Sequence, residues 1–170
     1  MSRVKALMLF AVMGLAACQP SGPQLGPDGQ PLPQVYNISK KDAAQIPTRV
    51  NESINALRAA RGTGPLTIDP SLTQAAEVQS RDMARQNRPW HWGSDGSSPF
   101  DRAARAGFAG KVAGENISET YENETQTLSA WMADPETRDV LLNPASAMMG
   151  FGWYQEPSGK IWWTLVTGHY

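Results

Sequence analysis

Residues 148–166, Met148-Met149-Gly150-Phe151-Gly152-Trp153-Tyr154-Gln155-Glu156-Pro157-Ser158-Gly159-Lys160-Ile161-Trp162-Trp163-Thr164-Leu165-Val166, decide the fold class of this chain. Two runs rich in apolar and aromatic residues, 148–154 and 161–166, flank a polar segment that holds proline, serine and glycine. Short apolar runs bounded by turn-forming residues read as strands, and a break of this composition folds them into an antiparallel hairpin. Upstream of residue 148 the apolar spacing is helical. Helices first and antiparallel strands late build an α+β layered domain rather than a doubly wound parallel sheet, in which strands and helices alternate.

Four helices are expected ahead of the hairpin. Pro47 reads as the first residue of one, with Val50, Ile54, Leu57 and Arg58 recurring at helical spacing until Gly62 and Gly64. Asp69-Pro70-Ser71 reads as the cap and first two positions of a second, which turns Leu72, Ala75, Ala76, Val78 and Met83 inward and stops near 87–89. A third follows Ser98-Pro99 and ends at Gly107, with Phe100, Ala103 and Ala104 inward; a fourth spans about 123–133, with Leu128, Trp131 and Met132 on one face. Trp131, Trp153, Trp162 and Trp163 are expected in the core, since large aromatics dominate small cores.

The N-terminus reads as an address. Arg3 and Lys5 precede an apolar stretch from Ala6 to Leu15, and Ala16-Ala17 precede Cys18, the one cysteine of the chain. About ten apolar residues are too few to span a hydrocarbon core of ~30 Å as a helix, so residues 1–17 read as a signal peptide. Leu15-Ala16-Ala17-Cys18 resembles the lipobox of bacterial lipoproteins, which implies cleavage before Cys18 and lipid on that cysteine. A single thiol has no internal disulfide partner. Residues 18–41 carry Pro20, Pro23, Pro27, Pro31 and Pro33 with Gly22, Gly26 and Gly29, and read as a tether. Residues 42–170 have the length of one domain with one core. Loss of Arg3 and Lys5 leaves 13 basic residues against 16 acidic ones, a net charge near −3. That balance argues against nucleic acid or anionic lipid as a partner of the domain. The membrane is met through the acyl chains on Cys18, each buried CH₂ contributing ~0.8 kcal/mol.

Two histidines limit the acid–base chemistry available. His91 lies in Pro89-Trp90-His91-Trp92-Gly93-Ser94-Asp95-Gly96, a loop straight after the second helix, where function concentrates. Glu115 lies in Ala113-Gly114-Glu115-Asn116-Ile117, between a glycine and an apolar residue. A half-buried glutamate beside a histidine holds one tautomer, acts as a base or shares a metal. The alternative is structural: Glu115 accepts hydrogen bonds and His91 caps a loop.

These stretches occur in an order that resembles the CAP (SCP, pathogenesis-related 1) superfamily in its bacterial form. The order runs through Leu66, Asp69-Pro70-Ser71-Leu72, Ala75-Ala76, Ser80-Arg81-Asp82-Met83-Ala84, His91, Gly93, Asp95-Gly96 and Arg102. It continues with Gly107-Phe108, Gly114-Glu115-Asn116-Ile117, Trp131-Met132, Asp134-Pro135, Arg138, Leu141-Leu142 and the aromatic hairpin, so it covers about residues 47–168. The resemblance implies an α-β-α sandwich with a cleft lined by two histidines and two acidic residues. The first histidine matches His91 and one acid Glu115; the second acid falls on Asp134, and the second histidine is replaced by Thr137. A threonine hydroxyl is a poor zinc ligand, so His91, Glu115 and Asp134 make at best an incomplete three-ligand site. No cofactor is expected, with zinc on His91 and Glu115 the alternative. His169 would complete the set only if the terminus folded back, and it is expected to be exposed.

Three functions follow from this reading. The first is a non-catalytic protein of the cell envelope, lipid-anchored and facing the periplasm from the outer membrane. Its cleft, lined by His91, Glu115, Asp134 and Thr137, would bind a small apolar ligand, a lipid or a peptide. The second is a hydrolase, a peptidase or cell-wall hydrolase, with His91 as base, Glu115 as orienter and Ser94, Ser97, Ser98 or water as nucleophile. The third is envelope maintenance through peptidoglycan or an envelope protein. No Gly-x-Ser-x-Gly elbow or His-Glu-x-x-His motif is present.

Overall fold

A computed structural model describes residues 35–170; the signal segment 1–17, Cys18 and most of the tether lie outside the described residues. The elements are α1 (Lys40–Ala60), β1 (Thr67–Ile68), α2 (Pro70–Gln86), α3 (Pro99–Arg105), β2 (Lys111–Thr120), α4 (Glu124–Ala133), α5 (Pro135–Leu142), β3 (Met148–Gln155) and β4 (Ile161–His169). The hairpin β3–β4 is antiparallel, with Trp153 opposite Trp163. Around it the sheet runs β1-β3-β4-β2: β1 is parallel to β3, and β2 is antiparallel to β4.

β4 explains the layering. Its residues from Ile161 to Gly168 are all buried, so both faces of the strand are covered. Trp163 and Leu165 enter a core with Ile46, Val50, Ile54, Trp131, Leu141 and Phe151. Val166, pointing the other way, packs with Leu72, Ala75, Ala76, Ala103 and Phe108 of the α2–α3 side. The result is the α-β-α sandwich expected. On the α2 face the helix lies almost on the strand: a Cβ at Gly150 would collide with the Leu72 carbonyl carbon, and one at Gly152 with the Glu77 nitrogen. Only glycine permits that approach.

The helix signals hold where a cap is present. Asp69 caps α2 by accepting from the Ser71 and Leu72 amides, and Asn87 ends it in the left-handed region at φ 47°. Asn123 caps α4. The expected start of α1 is corrected. Pro47 lies inside the helix, which begins at Lys40 behind a Ser39/Asp42 capping box. The box and the buried Ile46 and Val50 outweigh the loss of one helical hydrogen bond at Pro47. Residues assigned to the tether therefore belong to the fold: the Ile38 amide donates to the Gln155 side chain, and that side chain donates to the Tyr36 carbonyl.

Three inward assignments also change. Val78, Phe100 and Ala104 face outward, at 47% and 63% exposure for the first two. In α3 the inward place goes to Arg102, because a Ser98/Asp101 capping box sets the phase of a helix of only seven residues. Trp131, Trp162 and Trp163 are buried, and Trp153 is half-buried against the same core. β1, β2 and α5 are additions to the expected elements. Asp134-Pro135 starts α5 just as Asp69-Pro70 starts α2, so a signal for it exists in the sequence. β2 reads KVAGENISET and has poor strand composition; its pairing with β4 imposes the extended form.

Candidate functional site

The loop between α2 and α3 is fixed by side chains of both helices. From α2, the Gln79 amide donates to the Trp90 carbonyl at 2.6 Å and the Gln86 side chain accepts from the Trp90 indole. Asp82, also on α2 and buried, accepts from the Ser94 amide at 2.5 Å and from its hydroxyl at 2.7 Å. From α3, one nitrogen of Arg102 donates to the His91 and Ser97 carbonyls, both at 3.0 Å. His91 thus sits on a loop whose backbone is held from two sides.

Edge strand β2 brings Glu115 beneath that loop. Glu115 pairs with Val166, whose side chain faces the α2–α3 core, so Glu115 points to the same face. Its two oxygens are divided: Oε1 lies 2.9 Å from His91 Nδ1, and Oε2 accepts from Arg102 Nη2 at 2.6 Å. The Glu115 and Arg102 side chains are 2% and 3% exposed, while His91 is 52% exposed. Against a carboxylate, Nδ1 must be the protonated nitrogen of the neutral ring, which leaves Nε2 as an acceptor. The structure thus brings His91 and Glu115 together. Arg102, in the sequence only one letter of an ordered motif, is the residue that couples them.

Asp134 and Thr137 are not brought into contact with that pair. Asp134 is exposed and caps α5 through the Glu136 amide; the Thr137 hydroxyl donates to the Trp131 carbonyl. Asn116, the neighbour of Glu115 and so directed to the other face, donates to the Thr137 carbonyl. The α5 residues therefore belong to the opposite face of the sheet from Glu115. His169 ends β4 opposite Lys111, with its ring against the Tyr170 carbonyl. The three serines are held elsewhere: Ser94 donates its hydroxyl to Asp82, Ser97 is buried with its amide on Asp95, and Ser98 caps α3.

These partners decide the fit of a metal. Zinc takes three or four ligands from Cys, His, Asp and Glu. Glu115 is occupied by a guanidinium and an imidazole, Asp134 by a helix end, and no cluster of three such residues occurs among the described residues. The donor set does not fit zinc.

Asp82 is expected to give the site a pH dependence. Burial raises its pKa, but the Ser94 hydroxyl and amide and the Arg85 guanidinium more than compensate, and the carboxyl lies below its ordinary value of 3.8. A depressed folded-state value means that the stabilisation is complete above the unfolded value and is lost as pH falls through the folded one. The tryptophan emission of the protein, which includes Trp90 and Trp92 on this loop, is expected to shift below pH 3.8 in an Asp82-dependent way. Asp82→Asn is expected to remove the Asp82-dependent part of that shift; an identical acid transition in the variant would exclude the anchor.

With the fold and the geometry in hand, likeness to known proteins decides the family. Residues 52–170 match the profile of the cysteine-rich secretory protein family, CAP. The chain belongs to the CAP family. Its domain is 36% identical over 114 residues to the YkwD protein of Bacillus subtilis, an alignment covering 67% of this chain and 44% of that one. The chain thus aligns with less than half of that relative. Among solved structures, the CAP fold here is similar to an outer surface protein from Borrelia burgdorferi. That match has a TM-score of 0.68 and 17% identity, and covers 79% of this chain and 98% of that one. An extracellular SCP-domain protein from Bacillus anthracis gives a TM-score of 0.66 at 22% identity, covering 79% and 45%. At these identities the likeness concerns the fold.

Proposed function

We propose that this CAP domain is a binding module of the cell envelope, held to a membrane by lipid on Cys18. It would act on a small apolar ligand, a lipid, a peptide or an envelope partner around His91. The observation that carries this reading is the burial of Glu115 between two partners. A general base or metal ligand needs a lone pair that its target can reach, whereas this carboxylate is 2% exposed and has one oxygen on a buried arginine and the other on His91. What the site offers is an exposed, oriented imidazole between Trp90 and Trp92, the latter 52% exposed. Such a surface offers a ligand an aromatic face and one directed polar group. The leader and the extracellular and outer-surface names of the structural relatives support an extracytoplasmic place of work.

Two measurements test this. Cys18→Ser is expected to move the protein from the membrane pellet to the soluble fraction; an unchanged distribution would dismiss the anchor. Native mass spectrometry of gently extracted protein is expected to show a co-purifying small molecule that His91→Ala and Trp92→Ala reduce together. A bare protein mass in every preparation would count against ligand binding.

One observation favours a second reading. A carboxylate-oriented histidine with a free Nε2 is half of a hydrolytic site, and water would have to be the nucleophile. In that case His91→Ala abolishes turnover of a peptide or glycan substrate and leaves thermal stability nearly unchanged.

A further inference from the structure

The outward position of Val78 has a consequence beyond the His91 site. Val78 and Ala75 on α2 and Ala106 after α3 form the apolar part of a pocket of about 320 Å³ between the two helices. None of His91, Glu115, Asp134 or Thr137 lines it. Its volume is at the lower end of ligand pockets, roughly 300–1,000 Å³, and leaves ample room for a body of single-ring size.

Two exposed arginines line it, one from each helix: Arg85 from α2 and Arg105 from α3, with side chains 66% and 62% exposed. Each is steadied by one aspartate through a single nitrogen, Arg85 by Asp82 and Arg105 by Asp95 at 2.5 Å. Asp82 is otherwise occupied by Gln86 and by both donors of Ser94, so its acceptor sites are used; Asp95 accepts one bond on each oxygen, from the Ser97 amide and from Arg105. Each arginine meets its aspartate through one nitrogen only, and its remaining N–H groups have no acceptor within the protein among the described residues. A lining of free donors and apolar side chains calls for an acceptor-rich head on an apolar body.

We infer that this pocket binds a small organic carboxylate, its anionic head between Arg85 and Arg105 and its apolar body on Ala75, Val78 and Ala106. Arg102 lines the same pocket and holds the His91 carbonyl and Glu115, so an occupant lies one residue away from the His91 site without being part of it.

The test uses the full-length mature protein in detergent, titrated with benzoate, benzamide and acetate and followed by saturation-transfer NMR on the ligand, against a detergent-only blank. Benzoate is expected to bind saturably. Benzamide, which lacks the charge, and acetate, which lacks the body, should each be roughly tenfold weaker, the worth of one charge-assisted contact or of one apolar face. Arg85→Gln and Arg105→Gln should each weaken benzoate by a similar factor, Arg105→Gln with unchanged melting and Arg85→Gln with a small loss from its contact to Asp82, and Val78→Glu should abolish binding. Arg105→Lys should recover part of the loss. Equal binding of benzoate and benzamide, indifference to both arginine substitutions, or a signal no larger than the blank would each overturn the assignment.

Discussion

Replacing Arg58 with methionine is expected to destabilise the domain by about 3–5 kcal/mol, the range seen when a buried, fully bonded charge is removed from its partners. Arg58 is 0% exposed and has no acidic partner among the described residues. Its guanidinium donates instead to four carbonyls: Gly64 at 2.7 Å, Leu141 at 2.9 Å, Asn143 at 3.0 Å and Ser146 at 2.8 Å. Burial lowers its pKa, yet an arginine stays charged in proteins. The carbonyls of Leu141 and Asn143 end α5, where the helix dipole is negative, so they substitute for a carboxylate. Methionine fills much of the volume but leaves all four acceptors dry, and an unsatisfied buried polar group costs about 1–3 kcal/mol before relaxation. The melting temperature should fall by roughly 10–20 °C for a domain of this size. Arg58→Lys, with one cationic head and less reach, should lie between. A methionine variant melting within two or three degrees (~1 kcal/mol) of the wild type would show that these bonds contribute little net stability.

Arg58 also shows where sequence reading stops. Its position on the inward face of α1 is legible from the spacing of Val50 and Ile54. Nothing in the sequence says that a charged residue there bonds only to carbonyls, because those carbonyls come from 64 and from 141–146, the latter far away in the chain. Caps behave differently, being local. Asp69-Pro70, Ser98-Pro99 and Asn123 start helices through contacts within three residues, and each start can be read directly. Pro47 misleads because its preference for a first turn is local too, and here the packing of Ile46 outweighs it. β2 is hidden for the same kind of reason, since a strand with Gly114, Glu115 and Asn116 at its centre is extended because β4 pairs with it. The His91–Glu115 contact is legible only through the ordered resemblance to CAP domains. Asp134 and Thr137 follow from the same resemblance, and they make their contacts around the start of α5 instead.

The second large effect concerns Glu115, where structural and functional roles must be separated. Glu115→Leu is expected to cost about 3–5 kcal/mol, because it leaves the Arg102 guanidinium buried without its counter-charge. Arg102→Met should cost a similar amount by stranding Glu115 and freeing the His91 and Ser97 carbonyls. The double variant should be more stable than the sum of the two losses predicts, since neither charge is then left alone. His91→Ala, by contrast, removes a half-exposed ring from one side of the carboxylate and should cost about 1 kcal/mol or less. Thermal melts of the four variants therefore give an ordering: His91→Ala nearly native, each buried single variant well below it, and the double variant above the level that the two losses added together would set. That ordering would mean that Glu115 is kept in its place by the fold's need for a partner to Arg102, while His91 alone is free to meet a ligand. Additive losses in the double variant would mean instead that Glu115 and Arg102 act independently, and the case for a carboxylate held in place as the partner of Arg102 would fall with them.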